Sequence, residues 1–81
     1  MRNWLERRRW RAEVLVLASL AAGEEHGYGI SRRAGLRAGR LYPTLDRLQR
    51  QGLITSGWEG KPVSPGGPRL RWYKLTADRH A

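Results

Sequence analysis

Apolar residues recur at helical spacing in the middle of the chain. Leu41, Leu45 and Leu48 follow one another at intervals of four and three residues, which places them on one side of a helix. Gly52 comes after the last of them, and glycine readily adopts the left-handed conformation that ends a helix. The pattern therefore predicts a helix over residues 39–51 with one face in a core.

Polar residues form a second stripe on this predicted helix. Arg40, Thr44, Arg47 and Gln51 recur at intervals of four, three and four residues, and we expect them on the exposed side. Their side chains offer donors that suit phosphates and base edges. The stripe predicts a nucleic-acid contact in which Arg40, Thr44 and Arg47 face bases.

The start of this helix carries no capping residue. Tyr42 and Pro43 are expected in its first turn, where a proline costs least because its missing N–H had no partner within the helix. Arg37 and Ala38 stand where Ser, Thr, Asp or Asn would cap the helix. An uncapped start is compatible with a docked phosphate.

Two further helices are predicted upstream. The first continues to about residue 22, and its segment 14–21 is expected to fill the core. The apolar face assigned to this helix consists of Trp10, Val14, Leu17 and Ala21, with Leu20 beside it. The second is a short helix over residues 26–35, which two internal glycines make dependent on packing.

The periodicity changes to two after residue 52. Residues 53–58 and 69–76 are predicted strands, and the intervening residues 59–68 are too rich in proline and glycine for regular structure. The segments predict a hairpin with a long tip. Lys61 in the tip, with Arg69 and Arg71 at its base, is expected to approach a nucleic-acid backbone or minor groove.

Composition narrows the function. The chain has 81 residues, enough for one domain over residues 1–81 but too few for a deep catalytic cleft. Its net charge of +9 predicts a polyanionic partner, and most of the basic residues are arginine, whose planar fork pairs with phosphate and guanine. Without cysteine, and with two histidines far apart, no metal site or cofactor is expected. No catalytic constellation is present, and the longest apolar run is too short to span a membrane.

Charge is sorted along the chain. Residues 1–11 carry +4, residues 12–31 carry −3, residues 32–50 carry +5 and residues 51–81 carry +3. The positive charge thus belongs to an N-terminal arm, the presumed recognition helix and the hairpin. Residues 1–11 are interpreted as a basic helical extension, in which Trp4, Leu5 and Trp10 are candidates for a homodimer contact.

Three helices followed by a two-stranded hairpin make a mostly helical α+β fold, the winged helix-turn-helix. The residues themselves resemble the PadR family of bacterial transcriptional regulators, in a short form without the C-terminal dimerisation helices. The matching segments are Leu17-Ala18-Ser19-Leu20, His26-Gly27-Tyr28-Gly29-Ile30, Gly39-Arg40-Leu41-Tyr42-Pro43-Thr44-Leu45, Arg47-Leu48, Gly52-Leu53-Ile54 and Trp72-Tyr73-Lys74-Leu75-Thr76.

The resemblance implies that Tyr42 and the exposed side of residues 39–51 meet the major groove and its phosphates, while the wing tip approaches the backbone or minor groove. Arg37 and Arg40 depart from the family, which usually has small hydroxyl residues there. Because the chain stops at Ala81, before the dimerisation helices, the effector pocket of the family is not expected here. The extended first helix is hypothesised to replace the missing dimer contact.

The favoured function is a cytoplasmic, nucleoid-associated regulator, a repressor, that binds duplex DNA in a sequence-specific manner. Arg37, Tyr42, Lys61, Arg69 and Arg71 are assigned to phosphates, and Pro43 is assigned to the same DNA-binding surface. One alternative keeps the fold but makes the protein an architectural DNA-binding protein or a recombination directionality factor of a mobile element. Another is a basic module that binds RNA or an acidic protein.

Overall fold

The computed structural model describes residues 3–60 and 70–76. It contains three helices followed by two antiparallel strands, which confirms the mostly helical α+β fold. The elements are α1 (Trp4–Ala21), α2 (Gly27–Ala34), α3 (Ala38–Arg50), β1 (Ile54–Trp58) and β2 (Arg71–Leu75).

Local capping sets the ends of the helices. At the start of α1, the side chain of Asn3 accepts a hydrogen bond from the Glu6 N–H at 2.8 Å, and Glu6 accepts one from the Asn3 N–H at 3.0 Å. The three helices end before Gly23, Gly35 and Gly52, each of which has positive φ. After α3 the N–H groups of residues 52 and 53 bond back to the carbonyls of residues 49 and 48. The predicted end of the central helix is confirmed.

The beginning of α3 differs from the prediction. The helix starts at Ala38, with Arg37 as an extended N-cap residue that makes no side-chain cap. Pro43 therefore lies in the second turn instead of the first, and the placement in the first turn was wrong. Because proline has no N–H, the carbonyl of Gly39 receives no helical hydrogen bond from position 43.

The core lies where the three helices meet one face of the hairpin. The leucine stripe of α3 is buried as predicted, and it packs with Val16, Leu20, Ile30, Ile54 and Tyr73. The buried residues of α1 are Ala12, Val16, Ser19 and Leu20.

The predicted core face of α1 was therefore wrong. Trp10, Val14 and Ala21 are exposed, and only Leu17 of that set packs partly against the core. Residues 14–18 are all apolar, so periodicity alone does not select one face. Contacts with α2, α3 and β2 select the side that carries Val16.

The hairpin is tied to the loop before α2. Ile54 pairs with Leu75 and Trp58 with Arg71 at the two ends of the ladder, so both strands are slightly shorter than predicted. His26 forms an isolated bridge with Trp72, and the Tyr73 N–H donates to the Glu25 carbonyl at 2.8 Å. The base of the wing is thereby fixed to the helix-turn-helix. The predicted tip residues from 61 onward lie outside the described residues.

Candidate nucleic-acid interface

The exposed side of α3 is rotated from the predicted one. It carries an aromatic ring, a carboxylate, an amide and a guanidinium, so it offers both donors and acceptors. Its exposed residues from the second turn onward are Tyr42, Pro43, Asp46, Gln49 and Arg50. The sequence prediction included Tyr42 and Pro43 in the DNA-contacting surface, but it did not place Asp46, Gln49 and Arg50 on the exposed side of the helix. At about 100° per residue, Arg50 and Asp46 lie opposite the leucine stripe, a signal that was available.

Thr44 does not belong to the exposed face. Its side chain is fully buried, and its hydroxyl donates to the Arg40 carbonyl at 2.8 Å. At about 100° per residue, Thr44 lies only about 40° from Leu48 around the helix, which explains its burial beside the core. The prediction that Thr44 presents a donor at the surface was wrong.

Arg47 is turned toward α1. Its Nε atom donates to Oε2 of Glu13 at 3.2 Å, and its Nη2 atom donates to the Thr44 hydroxyl at 3.2 Å. The pair is mostly shielded, with 27% of the Arg47 side chain and 20% of the Glu13 side chain exposed. The guanidinium of Arg47 thus joins two helices, and its predicted position on an exposed stripe was wrong.

The first turn of α3 brings two arginines to the surface. Arg37 is exposed and Arg40 is half-buried, and neither forms an ion pair within residues 3–60 and 70–76. The N–H groups of Ala38 and Gly39 precede the first intrahelical hydrogen bonds and receive no side-chain cap. Positive charge and uncompensated donors therefore coincide at this end of α3.

Tyr42 projects from α3 toward the start of α2. Its hydroxyl lies so close to Gly27 that a Cβ atom added at Gly27 would overlap it. The phenol is nevertheless about half exposed. Gly27 is therefore required for the position of an exposed aromatic ring at the junction of the two helices of the motif.

A chain of hydrogen bonds links the wing to α3. Nη2 of Arg71 donates to the Ser56 hydroxyl at 2.8 Å, and Ser56 donates to Oε1 of Gln49 at 2.9 Å. The Arg71 guanidinium also lies 4.9 Å from the centre of the Trp58 ring. Arg71 is thus half-buried at the wing base, and its assignment to a phosphate stays a prediction. Lys61 and Arg69, the other basic residues predicted for the wing, lie outside the described residues.

Tyr73 lies under this network. Its side chain is buried, and desolvation raises the pKa of the Tyr73 phenol above its ordinary value of 10.0. The neighbouring Arg71 charge acts in the opposite direction, and Tyr42 adds a smaller upward contribution to the pKa. The phenol is therefore neutral at physiological pH, consistent with a structural role.

Trp4 and Trp10 of the N-terminal extension line one shared surface groove. Trp4 and Trp10 are more than half exposed, and the guanidinium of Arg8 lies 4.6 Å from the centre of the Trp4 ring. Leu5 instead lines a pocket between α1 and α3. Leu5 thus lies apart from the groove of the two tryptophans, and the homodimer contact stays a prediction.

Polar contacts also position the start of α2. Nε2 of His26 lies 2.8 Å from Oε1 of Glu59 at the end of β1. On the outer side of α2, Nη1 of Arg32 donates to the Tyr28 hydroxyl at 3.0 Å. The contact with Glu59 places His26 between the helix-turn-helix motif and the wing.

The described residues contain no group of three or more His, Cys, Asp or Glu that could hold a metal ion. A helix long and apolar enough to cross a membrane is likewise missing from residues 3–60 and 70–76. The exposed side of α3 and its first turn offer guanidinium, amide, carboxylate and aromatic groups, which are group types that contact phosphates and bases.

Comparison with known proteins agrees with this architecture. A putative antitoxin, VapB45, of Mycobacterium tuberculosis is 34% identical over 77 residues, which make up 95% of this chain and 45% of that protein. The chain thus spans less than half the length of the curated relatives it matches.

Two solved structures share the fold. The PadR-like transcription factor of Bacteroides fragilis superposes with a TM-score of 0.73 at 28% identity, over 89% of this chain and 72% of that one. A PadR family transcription regulator of Clostridium difficile gives a TM-score of 0.69 at 27% identity, over 84% and 74%.

The model of the PadR-like family of transcriptional regulators matches residues 16–80. This family consists of regulators and not of enzymes, in agreement with the sequence prediction. The predicted resemblance is confirmed, and the chain belongs to the PadR-like family of transcriptional regulators.

Proposed function

We propose that the protein is a sequence-specific DNA-binding regulator, a repressor that acts by occupying its operator. The observation that carries the proposal is the exposed side of α3, where Tyr42, Asp46, Gln49 and Arg50 stand beside the basic first turn of the helix. Family membership supports the same assignment. A regulator of this kind acts at the nucleoid, in the cytoplasm.

Gln49 and Arg50 are the proposed base readers. An amide pairs well with adenine and a guanidinium with guanine in the major groove. The Oε1 atom of Gln49 accepts a hydrogen bond from the Ser56 hydroxyl. The Nε2 group of Gln49 has no hydrogen-bond partner among the described residues and can donate to a base. Arg50 is paired with Asp46 on the helix surface, an exposed pair that costs little to separate.

Arg37, Arg40 and Tyr42 are proposed to contact phosphates at the start of α3. The wing is proposed to approach the backbone or minor groove through its tip, for which Lys61 and Arg69 remain predictions. Arg71 supports this arrangement from the wing base through Ser56. If about five phosphates are neutralised, the logarithm of the affinity should fall with the logarithm of the salt concentration at a slope of about −4 to −5.

Selection of bound duplexes from a random pool tests the proposal. We expect an enriched motif whose discrimination falls on Gln49→Ala or Arg50→Ala, by about 1–3 kcal/mol at the base that each residue reads. Arg33→Ala is the matched control, because Arg33 is an exposed arginine that pairs with Glu24 outside α3.

The other functions predict different results of the same selection. Strong salt-dependent binding without an enriched motif would favour the architectural function, including that of a recombination directionality factor. Failure to bind duplex DNA would contradict the proposal and direct attention to RNA or an acidic protein.

Homodimerisation is proposed through the outer face of α1. Trp10, Val14 and Ala21 are exposed there, whereas Leu5 lies on the opposite side of the helix. Analytical ultracentrifugation over a range of concentrations should show a dimer that Trp10→Ala weakens. A mass that does not depend on concentration would contradict this contact.

A further inference from the structure

A pocket of about 170 Å³ separates the first turns of α1 from the first turns of α3. Four arginines line it: Arg8 and Arg9 from α1, and Arg40 and Arg47 from α3. Ala12 is also among the lining residues, and its small side chain leaves room between the helices. The volume is several times the roughly 30 Å³ that one water molecule occupies in the liquid, so the pocket can hold a small polyatomic group.

Within residues 3–60 and 70–76, only one of these four charges is paired with a carboxylate. Glu13 pairs with Arg47. Arg8 lies over the Trp4 ring, and no ion pair of Arg9 or Arg40 occurs within the part of the chain that the structure describes. Three guanidinium groups around one pocket repel one another, and an anion placed between them would relieve that repulsion.

The wall formed by α3 adds to the positive potential. Gly39 lines the pocket and belongs to the uncapped first turn of α3. Unpaired N–H groups at a helix start favour an anion, and the absence of a side chain at Gly39 leaves them accessible. Guanidinium forks match the oxygens of phosphate.

We propose that this pocket binds a phosphate group, and specifically a phosphate of the DNA backbone beside α3. This inference rests on the proposed DNA-binding function. It assigns a role to the start of α1, which lies before residue 16, where the family match begins. The α1 extension thereby becomes a clamp that holds the backbone against the start of the recognition helix. Arg47 sets one wall of the pocket, and Glu13 keeps it there.

The test uses the full chain with two double variants that each remove two positive charges from the same part of α1. Arg8→Gln with Arg9→Gln removes both positive charges from the α1 side of the pocket. The control is Arg7→Gln with Arg11→Gln, which changes two arginines that do not line the pocket. Duplex affinity is measured from 50 to 200 mM salt. Losing one phosphate contact should make the slope of log affinity against log salt shallower by about 1. The ratio between the affinities at 50 mM and at 200 mM salt should then be about three- to fourfold smaller for the pocket variant than for the wild type. The control should retain most of the wild-type slope.

A second measurement separates a backbone phosphate from a free one. Inorganic phosphate is titrated against the wild-type chain at constant ionic strength, and the NMR signals of the arginine side chains are followed. A slope change specific to the pocket variant supports the backbone phosphate. Saturable shifts of the Arg9 and Arg40 signals with an unaltered slope would support a phosphate site but overturn DNA as its source.

The inference is overturned if the two double variants have the same salt slope and inorganic phosphate causes no saturable shift. A wild-type chain that binds no duplex would refute the proposed function by itself. The phosphate titration would still decide whether the pocket binds an anion.

Discussion

Arg47 of α3 donates from Nε to the Oε2 atom of Glu13 of α1 across 3.2 Å. This ion pair holds α3 against the same helix that carries the basic extension. It occupies the side chain that the sequence pattern assigned to DNA bases. The ion pair therefore fixes the position of α1 relative to α3.

Arg47→Ala should lower the free energy of unfolding by about 1–3 kcal/mol, because Glu13 would remain largely shielded without its charged partner. It should also weaken binding to all duplex sequences about equally. Urea unfolding of both single variants and the double variant with Glu13→Ala gives the coupling energy of the pair.

The matched control for that cycle is Asp46 with Arg50, an ion pair on the exposed side of α3. Exposed pairs of this type contribute about 0.3–0.5 kcal/mol. A coupling between residues 13 and 47 no larger than that of the control would contradict the prediction. If Arg47→Ala instead reduced the discrimination between duplex sequences, Arg47 would be assigned to a base contact.

Two valines on α1 provide a test of the buried face. Val16 is 0% exposed, whereas Val14, half a turn away, is 42% exposed. Val16→Ala should lower the free energy of unfolding by about 1–3 kcal/mol through lost burial and a residual cavity. Val14→Ala should change it by less than about 0.5 kcal/mol. Thermal and urea unfolding of the two variants compares them directly, and equal costs would contradict the assignment of the face.

The sequence pattern located α3 because only one side of that helix is apolar. Leu41, Leu45 and Leu48 leave no second choice for its core face, and Gly52 ends the helix by a backbone conformation that few other residues adopt. The strands were predictable from their composition, since aromatic and β-branched residues such as Ile54 and Tyr73 are enriched there and a glycine- and proline-rich segment lies between them. Both features depend on local sequence.

The remaining features depend on contacts between elements. Around α1, Leu15, Val16 and Leu17 are all apolar, so the partner helices decide which of them is buried. Thr44 is a polar residue, but its hydroxyl donates a hydrogen bond to a carbonyl of its own helix. This hydrogen bond permits its burial. The partner of Arg47, Glu13, lies 34 positions away in sequence, and no local pattern predicts such a pair.

Gly27→Ala should displace the Tyr42 ring, because the new Cβ atom would overlap the Tyr42 hydroxyl. The hydroxyl is at the far end of a rotatable side chain, so we expect little change in stability. Duplex affinity should fall to the same extent as for Tyr42→Ala. The informative comparison is Gly27→Ala in a Tyr42→Ala background, where it should have no further effect on affinity. An additional loss there would show that Gly27 acts independently of Tyr42.

The raised pKa of Tyr73 predicts how stability depends on pH. In the unfolded chain the phenol ionises near its ordinary pKa of 10.0, whereas in the folded chain burial keeps it protonated to higher pH. The folded state therefore binds more protons above about pH 10, and the free energy of unfolding should fall as the pH rises through that range. Below pH 10 this contribution is fully present.

Tyr73→Phe tests that pH dependence, because it keeps the buried ring and removes the ionisable hydroxyl. Urea unfolding between pH 8 and pH 11 should show a steeper loss of stability for the wild-type chain than for Tyr73→Phe. Tyr28→Phe is the control, since Tyr28 is 73% exposed on α2 and its variant retains Tyr73. Equal pH slopes for the wild type and Tyr73→Phe would show that burial at the base of the wing does not oppose ionisation of the phenol.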